Sequence, residues 1–392
     1  MGAFLKVLIS WVLLALGIYA VKDMGYSNYD CPGLMSPSGA VPTSVHAVRP
    51  ADIKIVAALG DSLTAANGAG APSGDAVAIL LQYRGLAFQG GGDKGIKGHI
   101  SVPNILRTYN SDLFGWAEGI CTSDVWEMAR LNLGFPGAES GDLIGQANQL
   151  VHLMQTHPNI DVANDWKLVN IFIGGNDICA YCHDSLNNNT GPHSPERFGQ
   201  NLKDTISILK QNLPRTIVSL TGMFNMKMLR MVDHNQVFCQ TLHLFECPCE
   251  SDNGFTDQQI SDVCVGYMQA QQELQDNGYF EADDFTLVIQ PFFEDDIIPP
   301  ENPDGTVNLD FFAPDCFHFS AFGHASVSKL LWNSILQPVG EKARKTNLSD
   351  YTMTLSCPDP VGLSVPGLNN CPFIRTTMNS QDCSKYMAPV KL

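Results

Sequence analysis

A chain of 392 residues, 44% hydrophobic and 16% charged, has the composition of a globular protein with a sizeable core and not of a disordered one. Its formal net charge of -17 at pH 7 excludes a nucleic-acid binder, because an acidic surface repels phosphate backbones. The same charge opposes adsorption to anionic membranes, so any lipid substrate is expected to be held by apolar contact.

Residues 1–6 carry one positive charge, residues 7–20 are an apolar run closing on the small Ala20, and Val21-Lys22-Asp23 follow. The run is short for a membrane span, and the layout predicts a signal peptide over residues 1–20. The last residues, KYMAPVKL, hold no apolar tail for a lipid or helical anchor. A secreted protein without a stable membrane anchor is the expectation. The cysteines agree: all twelve lie beyond the signal, and an even number in an oxidising compartment predicts complete pairing. Asn188-Asn189-Thr190 and Asn347-Leu348-Ser349 have the glycosylation pattern, at Asn188 and Asn347.

Residues 21–50 mix Pro, Ser and Gly around Cys31 without periodicity, which predicts an irregular arm. Residues 53–59 then form a short apolar run ended by Gly60, as a buried parallel strand does. Similar runs at 168–173, 216–220 and 285–289 predict three more strands. Helical patterns lie between them, near 139–156, 195–212 and 256–277, and a last one covers 321–336 with Ser320 placed to cap it. Strands alternating with helices imply an α/β fold with a mainly parallel sheet between helical layers, here assigned to residues 51–345. Residues 346–392, with Cys357, Cys371 and Cys383, read as a disulfide-stapled tail.

In open parallel sheets, chemistry collects beyond the carboxyl ends of the strands. After the first strand comes Gly60-Asp61-Ser62-Leu63. A serine there stands at a helix start, among unpaired N–H donors that favour negative charge, but Ser is equally common there as a helix cap. After the second strand comes Gly174-Gly175-Asn176-Asp177, in which Asn176 has an amide to aim at a developing oxyanion, although the same residues make a good turn. Before the last helix comes Asp315-Cys316-Phe317-His318. This spacing lets the carboxylate reach the imidazole Nδ1 and leave Nε2 as a base. No motif decides alone. Together they supply nucleophile, base, orienting acid and oxyanion donor, the parts of an acyl-transfer site. The CxxC at 179–182 and the CPC at 247–249 have redox or metal spacings, but in a secreted chain they read as disulfides.

GDSL at 60–63, Gly137 five residues after Asn132, GGND at 174–177 and DCFH at 315–318 resemble the four blocks of the SGNH/GDSL hydrolases. Longer stretches resemble that family's phospholipase B group: ALGDSLTAANGAGA, YRGLAFQGGGDKGIKGHISVPNILRTYN, LNLGFPGAESGDL, FIGGNDIC and DCFHFSAFGHA. The resemblance runs from about residue 58 to 325. It implies a three-layer α/β/α sandwich of flavodoxin-like kind. It implies Ser62 as nucleophile, Asp315 and His318 completing a triad, and an oxyanion hole of the Ser62 N–H, the Gly137 N–H and the Asn176 side chain. It also implies removal of acyl chains from phospholipids and lysophospholipids without metal or cofactor. An esterase on another acyl ester, such as an acetylated sugar, and a silent lipid-binding protein of the same fold are the competing readings. Oligomeric state is left open.

Overall fold

A computed structural model describes residues 21–75, 77–184, 191–234, 236–359 and 371–387. The expected signal peptide and Asn188 lie outside these residues. Among them, no helix is long and apolar enough to cross a membrane.

Four strands form one parallel sheet in the order β1-β2-β3-β4: β1 Ile53–Gly60, β2 Trp166–Phe172, β3 Thr216–Thr221 and β4 Phe285–Gln290. Every residue of β2, β3 and β4 is buried. That is why these strands read as continuous apolar runs, without the alternation of a half-exposed sheet: helices cover both faces.

The helices that matter here are, in chain order, α1 (Ser62–Ala65), α2 (Leu143–Thr156), α3 (Gly175–Tyr181), α4 (Pro195–Asn212), α5 (Val237–Glu246), α6 (Asp257–Asp276) and α7 (Ala321–Ile335). Helix α4 packs between α2 and α6 in one layer. Helix α7 packs against β4 and is buried at nearly every position. Ser320 caps it as the sequence indicates, its hydroxyl accepting the Gly323 N–H at 3.1 Å. The result is the expected three-layer α/β/α sandwich. Helices α3 and α5 were not among the predicted elements.

The cysteines depart from expectation. Cys31–Cys357, Cys179–Cys247, Cys182–Cys249, Cys239–Cys316 and Cys371–Cys383 pair. Cys121 and Cys264 are free. Cys264 sits on the inner side of α6, fully buried, with its sulfur accepting the Met226 N–H at 3.3 Å. It behaves as a small core side chain, while Cys121 lies in a separate partly exposed loop. An even count therefore does not give complete pairing. The two motifs at 179–182 and 247–249 do pair, with each other: their four cysteines form two parallel bridges between α3 and the segment after α5.

Candidate active site

The sheet register levels the two loops that carry the first motifs. Gly60 of β1 pairs with Phe172 of β2, so Ser62 and Gly174 each follow that pair by two residues on the same sheet edge. Gly60 has φ 151°, and a Cβ there would meet the Phe172 carbonyl oxygen at 2.1 Å and the Thr64 hydroxyl at 2.2 Å. Only glycine lets the chain leave the strand this sharply. The Gln146 amide fixes the exit, accepting the Gly60 N–H at 2.9 Å and donating to its carbonyl at 2.8 Å. Asp61 caps α1 by accepting the Leu63 N–H at 2.9 Å, which leaves Ser62 as the first helical residue.

The third motif meets the first across the sheet edge. His318 Nε2 lies 2.7 Å from Ser62 Oγ, although 256 residues separate them. His318 Nδ1 lies 2.8 Å from Asp315 Oδ2. The other carboxylate oxygen, Oδ1, accepts the Phe317 and His318 N–H groups at 2.9 and 3.0 Å. The acid is thus held by three donors from its own loop, as the i, i+3 spacing requires. Burial raises the Asp315 carboxyl, but the His318 charge and these hydrogen bonds outweigh it and hold the group below the usual range. Burial likewise disfavours a charged His318, yet the carboxylates of Asp315, Glu246 and Asp61 prevail and push the imidazole above its ordinary value.

The second motif closes the site from the other side. The Asn176 amide donates to the Ala138 carbonyl at 2.8 Å. Asp177 accepts the Ser140 N–H at 2.9 Å and the Ser140 hydroxyl at 2.5 Å. The 174–177 and 137–140 turns are therefore pinned together at two points, bringing Asn176 beside Gly137. Gly137 has φ 79°, with open space where a Cβ would stand. Its glycine is needed for the backbone angle alone. Near the serine, a Cβ on Gly175 would lie 3.9 Å from the Asp61 carboxylate. Burial pushes Asp61 up to about 7 and Asp177 up to about 6. The structure thus links Ser62 to His318 and His318 to Asp315, and Asn176 to the Gly137 turn. Asn347, the other expected glycosylation site, is exposed on a loop far along the chain.

Sequence reading missed one element that supports Asp315 and His318. Helix α5 presents Cys239, His243 and Glu246 on one face, at i, i+4 and i+7. Cys239 is bridged to Cys316, His243 Nε2 lies 2.9 Å from the Asp315 carbonyl oxygen, and Glu246 stands with Asp315 and His318 in one cluster within 4.8 Å. The clue in the sequence was the pair Cys239 and His243, one turn apart, but nothing local tied it to residue 315.

Residues 56–331 match the family described as GDSL-like Lipase/Acylhydrolase. The chain is 39% identical over 360 residues to phospholipase B1, membrane-associated, of Mus musculus, covering 90% of this chain and 23% of that protein. It is 37% identical over 356 residues to the Homo sapiens protein of the same name, covering 89% and 23%. The chain therefore spans about a quarter of the length of these relatives. Among solved structures, an acetyl xylan esterase of Geobacillus stearothermophilus is similar with a TM-score of 0.37 and 13% identity, over 72% of this chain and 96% of that one.

Proposed function

The chain belongs to the family of GDSL-like lipases and acylhydrolases, which are carboxylic ester hydrolases, and we propose that it removes acyl chains from phospholipids and lysophospholipids by a serine acyl-enzyme route. The observation that carries the reading is the unbroken chain from Ser62 through His318 to Asp315. Asp315 holds the imidazole with Nδ1 protonated, so that Nε2 is the base. Nε2 takes the Ser62 proton as Oγ attacks the ester carbonyl. The N–H groups of Ser62 and Gly137 and the Asn176 amide receive the oxyanion. As the intermediate collapses, His318 returns the proton to the leaving alcohol. A water, deprotonated by the same nitrogen, then releases the fatty acid. One Asn176 N–H is held by Ala138, which leaves the second for the oxyanion.

The lipid class rests on two supports. The relatives are named phospholipases. Helix α5, which grips the acid–base loop with one face, turns Val237, Phe238, Leu244 and Phe245 outward, and Phe135 is exposed two residues before Gly137. Exposed apolar groups on the elements that flank the site loops suit an apolar substrate better than a sugar. Secretion, with removal of residues 1–20 and a glycan on the exposed Asn347, belongs to the same proposal. Five disulfides fit an oxidising compartment. The test is product analysis on phospholipids, lysophospholipids and acetylated sugars side by side, with an organophosphonate probe to label the serine. Fatty acid released from the lipids, with a labelled Ser62, supports the reading. Deacetylation of sugars alone, or no labelling, overturns it.

A further inference from the structure

Behind the acid–base loop lies a cluster that the hydrolytic chemistry does not use. Asp233, His243 and Glu250 converge from three segments, and all three are buried. His243 is fully enclosed, its Nε2 lying 2.9 Å from the Asp315 carbonyl. Its Nδ1 faces Glu250 Oε2 at 3.3 Å and Asp233 Oδ2 at 3.4 Å. Neither contact makes a hydrogen bond, so the buried Nδ1 is unpartnered. A protonated imidazole paired with a carboxylate would draw it to about 2.7–2.9 Å. A tetrahedral ion with bonds of about 2.0–2.2 Å instead sets its ligand atoms about 3.3–3.6 Å apart. The observed spacing is that of a coordination edge.

We propose that Asp233, His243 and Glu250 form a binding site for one divalent transition metal of the zinc class, with a structural role. The donor set is an imidazole and two carboxylates, which together neutralise a dication. Metal-bound histidines donate their second ring N–H to a carbonyl or carboxylate, and His243 meets this requirement with the Asp315 carbonyl. An open cavity of about 450 Å³ lined by Asp233 and Glu250 adjoins the cluster, so water can reach a fourth coordination position. The neighbouring Arg230 does not compensate the two acids. Its guanidinium is taken by the carbonyls of Cys249, Glu250, Asp252 and Phe255 and by the Asp257 carboxylate. The site meets the 315–318 loop through the Asp315 carbonyl and the Phe317 ring, so the metal stiffens that loop and takes no part in acyl transfer.

The test uses the full chain, stripped with a chelator and then dialysed against zinc chloride alone. Bound zinc is measured by atomic emission and thermal stability by calorimetry. One equivalent of zinc is expected, with a raised Tm. Asp233→Asn and Glu250→Gln keep side-chain shape, so they fold where loss of His243 endangers folding, and each is expected to weaken zinc binding at least tenfold. Ser62→Ala is expected to bind zinc as the natural chain does, which separates this site from the hydrolytic one. Failure of the natural chain to hold one equivalent overturns the proposal. So does undiminished binding in both Asp233→Asn and Glu250→Gln.

Discussion

Asn176 and Ala138 are joined by a 2.8 Å hydrogen bond from the side-chain amide to the backbone carbonyl. The bond fixes the amide plane and sets Asn176 beside the Gly137 turn. If the remaining N–H serves the oxyanion, its loss falls on the transition state. Asn176→Ala should then lower kcat by about 10²–10³, with KM little changed. Loss of the Ala138 bond should also cost about 1 kcal/mol of stability. Kinetics on a short soluble ester, with Tm measured in parallel, separate the two effects. A normal kcat in folded Asn176→Ala would remove Asn176 from the oxyanion hole.

Ser62 is almost buried and its hydroxyl contacts His318. Ser62→Ala removes one oxygen and leaves a small apolar side chain at a helix start, so folding should survive. Activity should fall by several orders of magnitude, because the members of a triad act as a unit. A folded variant keeping more than about a tenth of the activity would show that another group is the nucleophile.

The sheet was legible because buried parallel strands are written as apolar runs bounded by glycine, as at 53–60. The three site motifs were legible because each sits just beyond a strand or before a helix and contains the few side chains that acyl transfer uses. Helix α5 was not, and the reason is physical. Its apolar residues face outward, with Val237 75% and Phe245 82% exposed, whereas its inner face carries Cys239 and His243. An apolar pattern normally marks the buried side, and here it marks the wrong one. Asp233, His243 and Glu250 were likewise invisible, since their convergence depends on the bridges that fold 239–249 against α3 and residue 316. The role of Asp177 was hidden too: its partner Ser140 belongs to another loop.

The free cysteines give a direct count. Denatured, unreduced protein should release two thiols to a colorimetric reagent, from Cys121 and Cys264. Native protein should show at most one, reacting slowly. Burial pushes the Cys264 thiol up to about 12 and also raises that of Cys121, so little thiolate exists near neutral pH. Cys264→Ala should lower the denatured count to one. A count of zero in the natural chain would mean that all twelve cysteines pair after all.

The pH dependence of kcat/KM should report His318. The base works only as neutral imidazole, so activity is low below its pKa, rises through it and levels off above. Burial opposes the charged ring, but Asp315, Glu246 and Asp61 together raise its pKa above the ordinary value. The acid limb should therefore lie at higher pH than an unperturbed histidine, at about 6.5, would give. Glu246 offers a clean probe of this balance, because its carboxylate influences His318 by charge. Glu246→Gln removes one negative charge while keeping the side chain's size, so protonated His318 loses support and its pKa falls. The acid limb should move to lower pH, with the plateau rate changed far less than by loss of Ser62. Asp315→Asn removes a larger influence, but it also spoils the tautomer and should lower the plateau by about 10⁴, which confounds the reading. Measured on a soluble ester between pH 4 and 9, the Glu246→Gln limb decides the matter. An unmoved limb, or one displaced to higher pH, would mean that Glu246 does not act on His318 through its charge.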